Sequence, residues 1–158
     1  MATNNAVNQI KPYALFQGYY AATTAGMTGD GSVFELAFDS EVCDDDGSFS
    51  AGTFTAARTG IYALGINLTL GGLTALHTSC SFRIGTAAYY FDSCLINIGA
   101  CITAAGECSI EHHVIMDLAV GDIVKAHATV SGSNKTVTIN SGGAGEPRSW
   151  FYGYLINN

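Results

Sequence analysis

Apolar and polar residues alternate along much of this chain with a period of two, the mark of strands that bury one face. The clearest run is Ile61 to Leu70. Tyr62, Leu64, Ile66, Leu68 and Leu70 share one face, and Ala63, Gly65, Asn67 and Thr69 the other. Phe34, Leu36 and Phe38 alternate with Glu35, Ala37 and Asp39, and Cys80, Phe82 and Ile84 with Ser81, Arg83 and Gly85. Ile110, His112, Val114, Met116 and Leu118 form a fourth such set, and Val124, Ala126, Ala128 and Val130 a fifth. Val, Ile, Thr, Tyr and Phe dominate the runs, and Gly, Ser, Asn and Asp separate them. No stretch repeats with the helical period. Ser131-Gly132-Ser133-Asn134 predicts a hairpin turn into a strand over Thr136 to Ile139. Turns every 8 to 12 residues and about ten strands predict an all-β fold, an antiparallel sandwich or barrel.

The last strand, Ser149 to Ile156, breaks the pattern. Phe151, Gly153 and Leu155 lie on one face and Trp150, Tyr152, Tyr154 and Ile156 on the other, and both faces are apolar. A strand apolar on both faces is buried on both. In a sandwich the second face then meets another subunit, or a loop of the same chain.

Composition sharpens this. The 158 residues fit one domain, expected over 13–158, with the polar, Asn-rich residues 1–12 as a flexible lead-in. Hydrophobic residues make up 48% and charged ones 12%, about half the usual charged share, so disorder is excluded. With so few charges, part of the surface is expected to be covered by other copies. No apolar run approaches the ~18–20 residues of a membrane helix, and no membrane insertion is expected. A net charge of -7 argues against nucleic acid and against anionic lipid.

Candidate chemistry is thin. Ser79, His77 and Asp92 are the residue types of a catalytic triad, but no Gly-x-Ser-x-Gly elbow carries them, so a non-enzyme is expected. Five cysteines, an odd number without Cys-x-x-Cys, predict free thiols, mostly buried, in a reducing compartment. The chain shows no secretory signal pattern. His112 and His113 point to opposite faces of one strand and cannot share a metal from one side. Asp44, Asp45 and Asp46 offer oxygens that could help hold Ca²⁺, although a solvated turn explains them better. No other cofactor is implied. Tyr89, Tyr90 and Arg148 lie in expected connections and offer stacking and hydrogen bonding to a ligand.

Several runs carry a family resemblance. Thr28-Gly29-Asp30-Gly31 precedes Phe34-Glu35-Leu36-Ala37-Phe38-Asp39. Gly52-Thr53-Phe54-Thr55-Ala56 is followed by Gly60-Ile61-Tyr62, and the chain closes on Phe151-Tyr152-Gly153-Tyr154-Leu155. This order resembles the globular heads of the complement C1q and tumour necrosis factor superfamily, in its microbial or phage branch. Where the family has Pro after Phe-Thr-Ala, this chain has Ala57 and Arg58. The resemblance implies a jelly-roll sandwich assembled as a homotrimer. Tyr62, Phe151, Gly153 and Leu155 would stand in its core or along its three-fold interface. Some relatives bind calcium. The implied function is a trimeric binding head that attaches to a host-surface glycan or protein receptor, as part of a phage tail fibre or another virion-surface appendage. A bacterial cell-surface or spore-surface adhesion module and a small hydrolase on a jelly-roll scaffold are the alternatives. The implied location is the virion or cell surface, reached from the cytosol.

Overall fold

The structure is a computed structural model that describes residues 15–142 and 145–157; the expected lead-in and the expected start of the domain at Tyr13 fall outside them. Among the described residues there are thirteen strands, one 3-10 turn at Ile98–Ala100 and no α-helix. The strands form two antiparallel sheets, as the period-two pattern predicts.

The first sheet is built on β7 (Gly60–Gly71). Along one edge it pairs with β10 (Cys108–Leu118) over eleven residues. Along the other it pairs with β13 (Trp150–Asn157) and, beyond that strand's end, with β12 (Val137–Ile139). Outward from β13 lie β1 (Phe16–Tyr19) and β4 (Ser40–Asp44), and β2 (Thr24–Thr28) flanks β12. The second sheet runs β5 (Phe49–Ser50), β6 (Thr53–Thr55), β11 (Ile123–Ser131), β8 (Ser79–Gly85) and β9 (Tyr90–Ile96). The short β3 (Val33–Glu35) pairs with β11 beside β6.

The inward set of β7 is fully buried from Tyr62 to Leu70, and Phe82, Ile84, Val124, Ala126, Ala128 and Val130 answer it from the second sheet. An aromatic cluster ties the sheets together at one end. Phe16 of the first sheet stacks on Phe49 at 4.8 Å and Phe54 at 4.6 Å of the second, with Phe151 edge-on at 5.0 Å. Stacked and edge-on rings at these distances contribute beyond the area they bury.

Two local expectations are corrected. Ser131 to Asn134 does not turn a hairpin. Both edges of β11 are already occupied, by β8 on one side and by β6 and β3 on the other, so the next strand crosses to the first sheet. The alternation over Phe34 to Asp39 yields only the three-residue β3. The chain leaves the ladder after Glu35, yet Leu36 and Phe38 stay fully buried, because burial follows the side-chain pattern and does not require continued pairing.

Candidate functional site

The outer face of the first sheet carries a group of exposed apolar side chains. Antiparallel register aligns its rows across the strands: Tyr154, Ala63 and Ile115 in one, Tyr152, Gly65 and His113 in the next. Ile115 is 66% exposed, Ile156 50%, and Ile61 and Tyr154 40% each. Tyr152 and Trp150 are half-buried beside them. A shallow cavity of about 370 Å³ opens here, lined by Ala63, His113, Ile115, Tyr152 and Tyr154 among others. Glu111 and Asp117 stand at the β10 margin of this face, and the Arg148–Glu107 ion pair stands at its far end beside Thr69 and Ser109.

Gly65 makes the middle row possible. A Cβ at this position would sit 2.7 Å from the Tyr152 ring and against His113 Nδ1, so only glycine lets the two side chains meet over the strand. The Tyr152 hydroxyl is hydrogen-bonded with His113 Nδ1 at 3.0 Å, and His113 Nε2 faces Glu111 Oε2 at 3.4 Å. Burial, with smaller effects from Tyr154 and Glu111, pushes the Tyr152 phenol above its ordinary range.

The opposite outer face differs in kind. Glu35, His127, Arg83 and Asp92 form one row across four strands. Arg83 binds Asp92 at 2.8 Å and stacks 3.6 Å over the Tyr90 ring, and Lys125 binds Glu35 at 2.7 Å. Exposed pairs of this kind contribute little stability, but they keep a surface wetted.

Tyr62, Phe151 and Gly153 lie on the inward face within the core, and Leu155 packs against it half-buried. The face left open to a partner is that of Trp150, Tyr152 and Tyr154. The Tyr62 hydroxyl donates to the Arg58 carbonyl at 2.8 Å. Tyr89, Tyr90 and Arg148 do not come together. Tyr89, 42% exposed, donates its hydroxyl to the Asp117 carbonyl at 2.7 Å and closes the gap between the sheet edges. Tyr90 lies under Arg83. Arg148 forms a two-bond pair with Glu107, whose carboxyl is held below its usual range by that guanidinium. Asp44 clamps its own turn: its carboxylate accepts from the Ser48 N–H at 2.9 Å and the Phe49 N–H at 3.0 Å. Among the described residues no three His, Cys, Asp or Glu side chains gather to hold a metal ion.

The triad types do not form a triad. Asp92 is engaged by Arg83 and stands opposite it, four residues along β8 from Ser79, about 13 Å at the strand rise. His77 is fully buried, and its Nδ1 accepts from the Thr74 N–H at 2.9 Å. His112 is half-buried, with Nε2 3.1 Å from the Phe91 carbonyl.

All five cysteines are free, but the expectation that most are buried is corrected: Cys94 and Cys101 are exposed, Cys43 and Cys108 intermediate, and only Cys80 is buried. Cys94 takes the outward position opposite Ser81 at the sheet margin, and Cys101 follows the 3-10 turn, so neither has a core to enter. Burial pushes the Cys80 thiol up to about 12. Thiolate is the reactive form. With a disulfide reagent at neutral pH, Cys94 and Cys101 are expected to react fast, Cys43 and Cys108 more slowly, and Cys80 only on unfolding. Stopped-flow thiol counting on single Cys→Ser variants measures the order, and a fast Cys80 would contradict the packing.

No protein-family profile and no curated protein matches this sequence. Solved structures do match its fold. The globular domain of zebrafish complement 1qA superposes with a TM-score of 0.61 at 17% identity, covering 92% of this chain and 99% of that one. The chain has the C1q and tumour necrosis factor fold. Murine APRIL, of the tumour necrosis factor family, gives a TM-score of 0.56 at 12% identity over 90% of this chain and 98% of its own. The vertex protein P5 of phage PRD1 gives 0.57 at 12% identity, over 91% of this chain and 72% of its own. In this jelly roll β7 and β13 are central strands of one sheet. Among the described residues no helix is long and apolar enough to cross a membrane.

Proposed function

We propose that the chain is a non-catalytic, homotrimeric binding head: the receptor-binding or host-attachment part of a virion-surface appendage such as a phage tail fibre. The observation that carries this reading is the outer face of the β7 sheet, where Ile61, Ile115, Tyr154 and Ile156 stand exposed together. Single exposed apolar residues are ordinary; a contiguous group on a flat sheet marks an interaction site. Two further copies of the chain are its occupants. The ion-paired face of the other sheet then remains in water, and the loops and margins of the head are free for a receptor. The likeness to the phage vertex protein supports the virion setting, and the C1q and APRIL folds support the head-like body. Light scattering after size exclusion tests the assembly. A trimer is expected at micromolar concentration, with a buried area above the ~2,000 Å² typical of obligate interfaces. A stable monomer there would sink the proposal.

A further inference from the structure

A second hollow lies on the other sheet's outer face, away from the proposed subunit contact. In the row Thr53, Lys125, Gly85 and Tyr90, Gly85 lets β9 close tightly against β8. It has to be glycine, because a Cβ would run into the Tyr90 backbone and the Tyr89 carbonyl at the start of the β8–β9 turn. Beside it, between the turn that follows β8 and the outer face of β11, lies a cavity of about 320 Å³, lined by Gly85, Thr86, Ala87, Ile123, Lys125 and His127. That is the small end of the range for ligand sites. Its walls are fixed: the turn is closed by the Thr86 N–H donating to the Tyr89 carbonyl at 2.8 Å, and the Thr86 hydroxyl accepts from the Ala88 and Tyr89 amides.

The lining has two sides. Ile123, 51% exposed, and Ala87 are aliphatic. Lys125 and His127 are polar. Lys125 gives one N–H to Glu35 at 2.7 Å and keeps two to donate elsewhere. Burial holds the His127 imidazole below its ordinary range, so at neutral pH it is uncharged, and Glu35 cancels the ammonium. The hollow therefore carries no net charge and selects neither anions nor cations. Arg83 already covers one face of Tyr90, so that face offers no stacking platform.

We infer that this hollow binds one neutral pyranose ring, its aliphatic face on Ile123 and Ala87 and its hydroxyls bonded to Lys125 and His127. This deepens the binding-head reading, on which it rests, by naming a ligand class. It does not require the trimer.

The probes are methyl β-glucopyranoside, methyl β-galactopyranoside and methyl α-mannopyranoside, observed by saturation-transfer NMR with the full chain. Saturation transfer to at least one is expected, with a dissociation constant on the order of 1 mM for so small a ligand. Ala87→Trp fills the hollow from an exposed turn position, and Lys125→Met removes the donor at similar length. Each is expected to weaken binding about tenfold or more, the usual effect of losing a charged hydrogen-bond partner or the space itself. Arg148→Ala, beside the separate cavity at Glu107 and Cys101, leaves binding unchanged. No transfer to any of the three sugars overturns the inference, as does transfer undiminished in both hollow variants. A trimer blind to all three sugars refutes the sugar site alone, and a monomer that binds one refutes the assembly alone.

Discussion

Phe16→Ala is expected to cost about 3–5 kcal/mol of folding stability, the range for truncating a fully buried aromatic ring. Phe16 is 0% exposed. Its ring stacks against Phe49 and Phe54 and meets Phe151 edge-on, so one side chain joins β1 and β13 of the first sheet to β5 and β6 of the second. The strands it serves are short, four residues in β1 and two in β5. Their ladders hold few hydrogen bonds, and the rings supply much of what keeps them in place. Alanine would leave a cavity that three other rings cannot all collapse into. Equilibrium urea unfolding at fixed protein concentration measures the loss. Val120→Ala, at a position 65% exposed, provides the reference, with a change within about 0.5 kcal/mol. A Phe16→Ala loss below about 1 kcal/mol would mean that the cluster is looser than its ring distances indicate.

The parts of this fold that could be read from the chain are those where one face of a strand decides burial. Tyr62 to Leu70 and Ile110 to Leu118 alternate in sequence; β10 alternates in the same phase, and so does β7 up to Leu64, but from Gly65 to Gly71 both faces of β7 are buried. Where the outcome depends on which edge is free, the chain alone is silent. The crossing after Ser131 follows from the occupancy of both edges of β11 by strands distant in sequence. The candidate surface was half legible. The two-faced apolar character of Trp150 to Ile156 marks the strand whose outer face stands exposed, but the partnership of Tyr152 with His113 over Gly65 depends on register between three strands. Gly85 likewise reads as one more outward position of the Cys80 to Ile84 strand until β9 lies against it. Tyr89, Tyr90 and Arg148 share composition suited to ligands but no location, because Tyr89 is spent on closing the sheet margin and Arg148 on Glu107.

Ile115→Glu and Tyr154→Glu should each convert a trimer into monomers at micromolar concentration without unfolding the chain. Both side chains belong to one row across β10, β7 and β13, and Ile115 is the more exposed of the two. In the free chain a carboxylate at either place remains in water and changes stability by only a few tenths of a kcal/mol. In an assembled interface the same carboxylate loses its hydration with no Lys or Arg in its row: Ala63 stands across from both, and Glu111 and Asp117 on β10 add like charge. Burying an unpaired charge costs several kcal/mol, and three-fold symmetry repeats that cost in every interface. The chain's net charge of -7 works in the same direction, since assembly already concentrates negative charge. The control is Val33→Glu, on the ion-paired sheet at a position 60% exposed, which should leave the trimer intact. Light scattering reads the assembly and far-UV circular dichroism the fold. If both outer-face variants remain trimeric while Val33→Glu dissociates, the contact belongs to the other sheet, and the row of Glu35, His127, Arg83 and Asp92 becomes the surface that meets a neighbour.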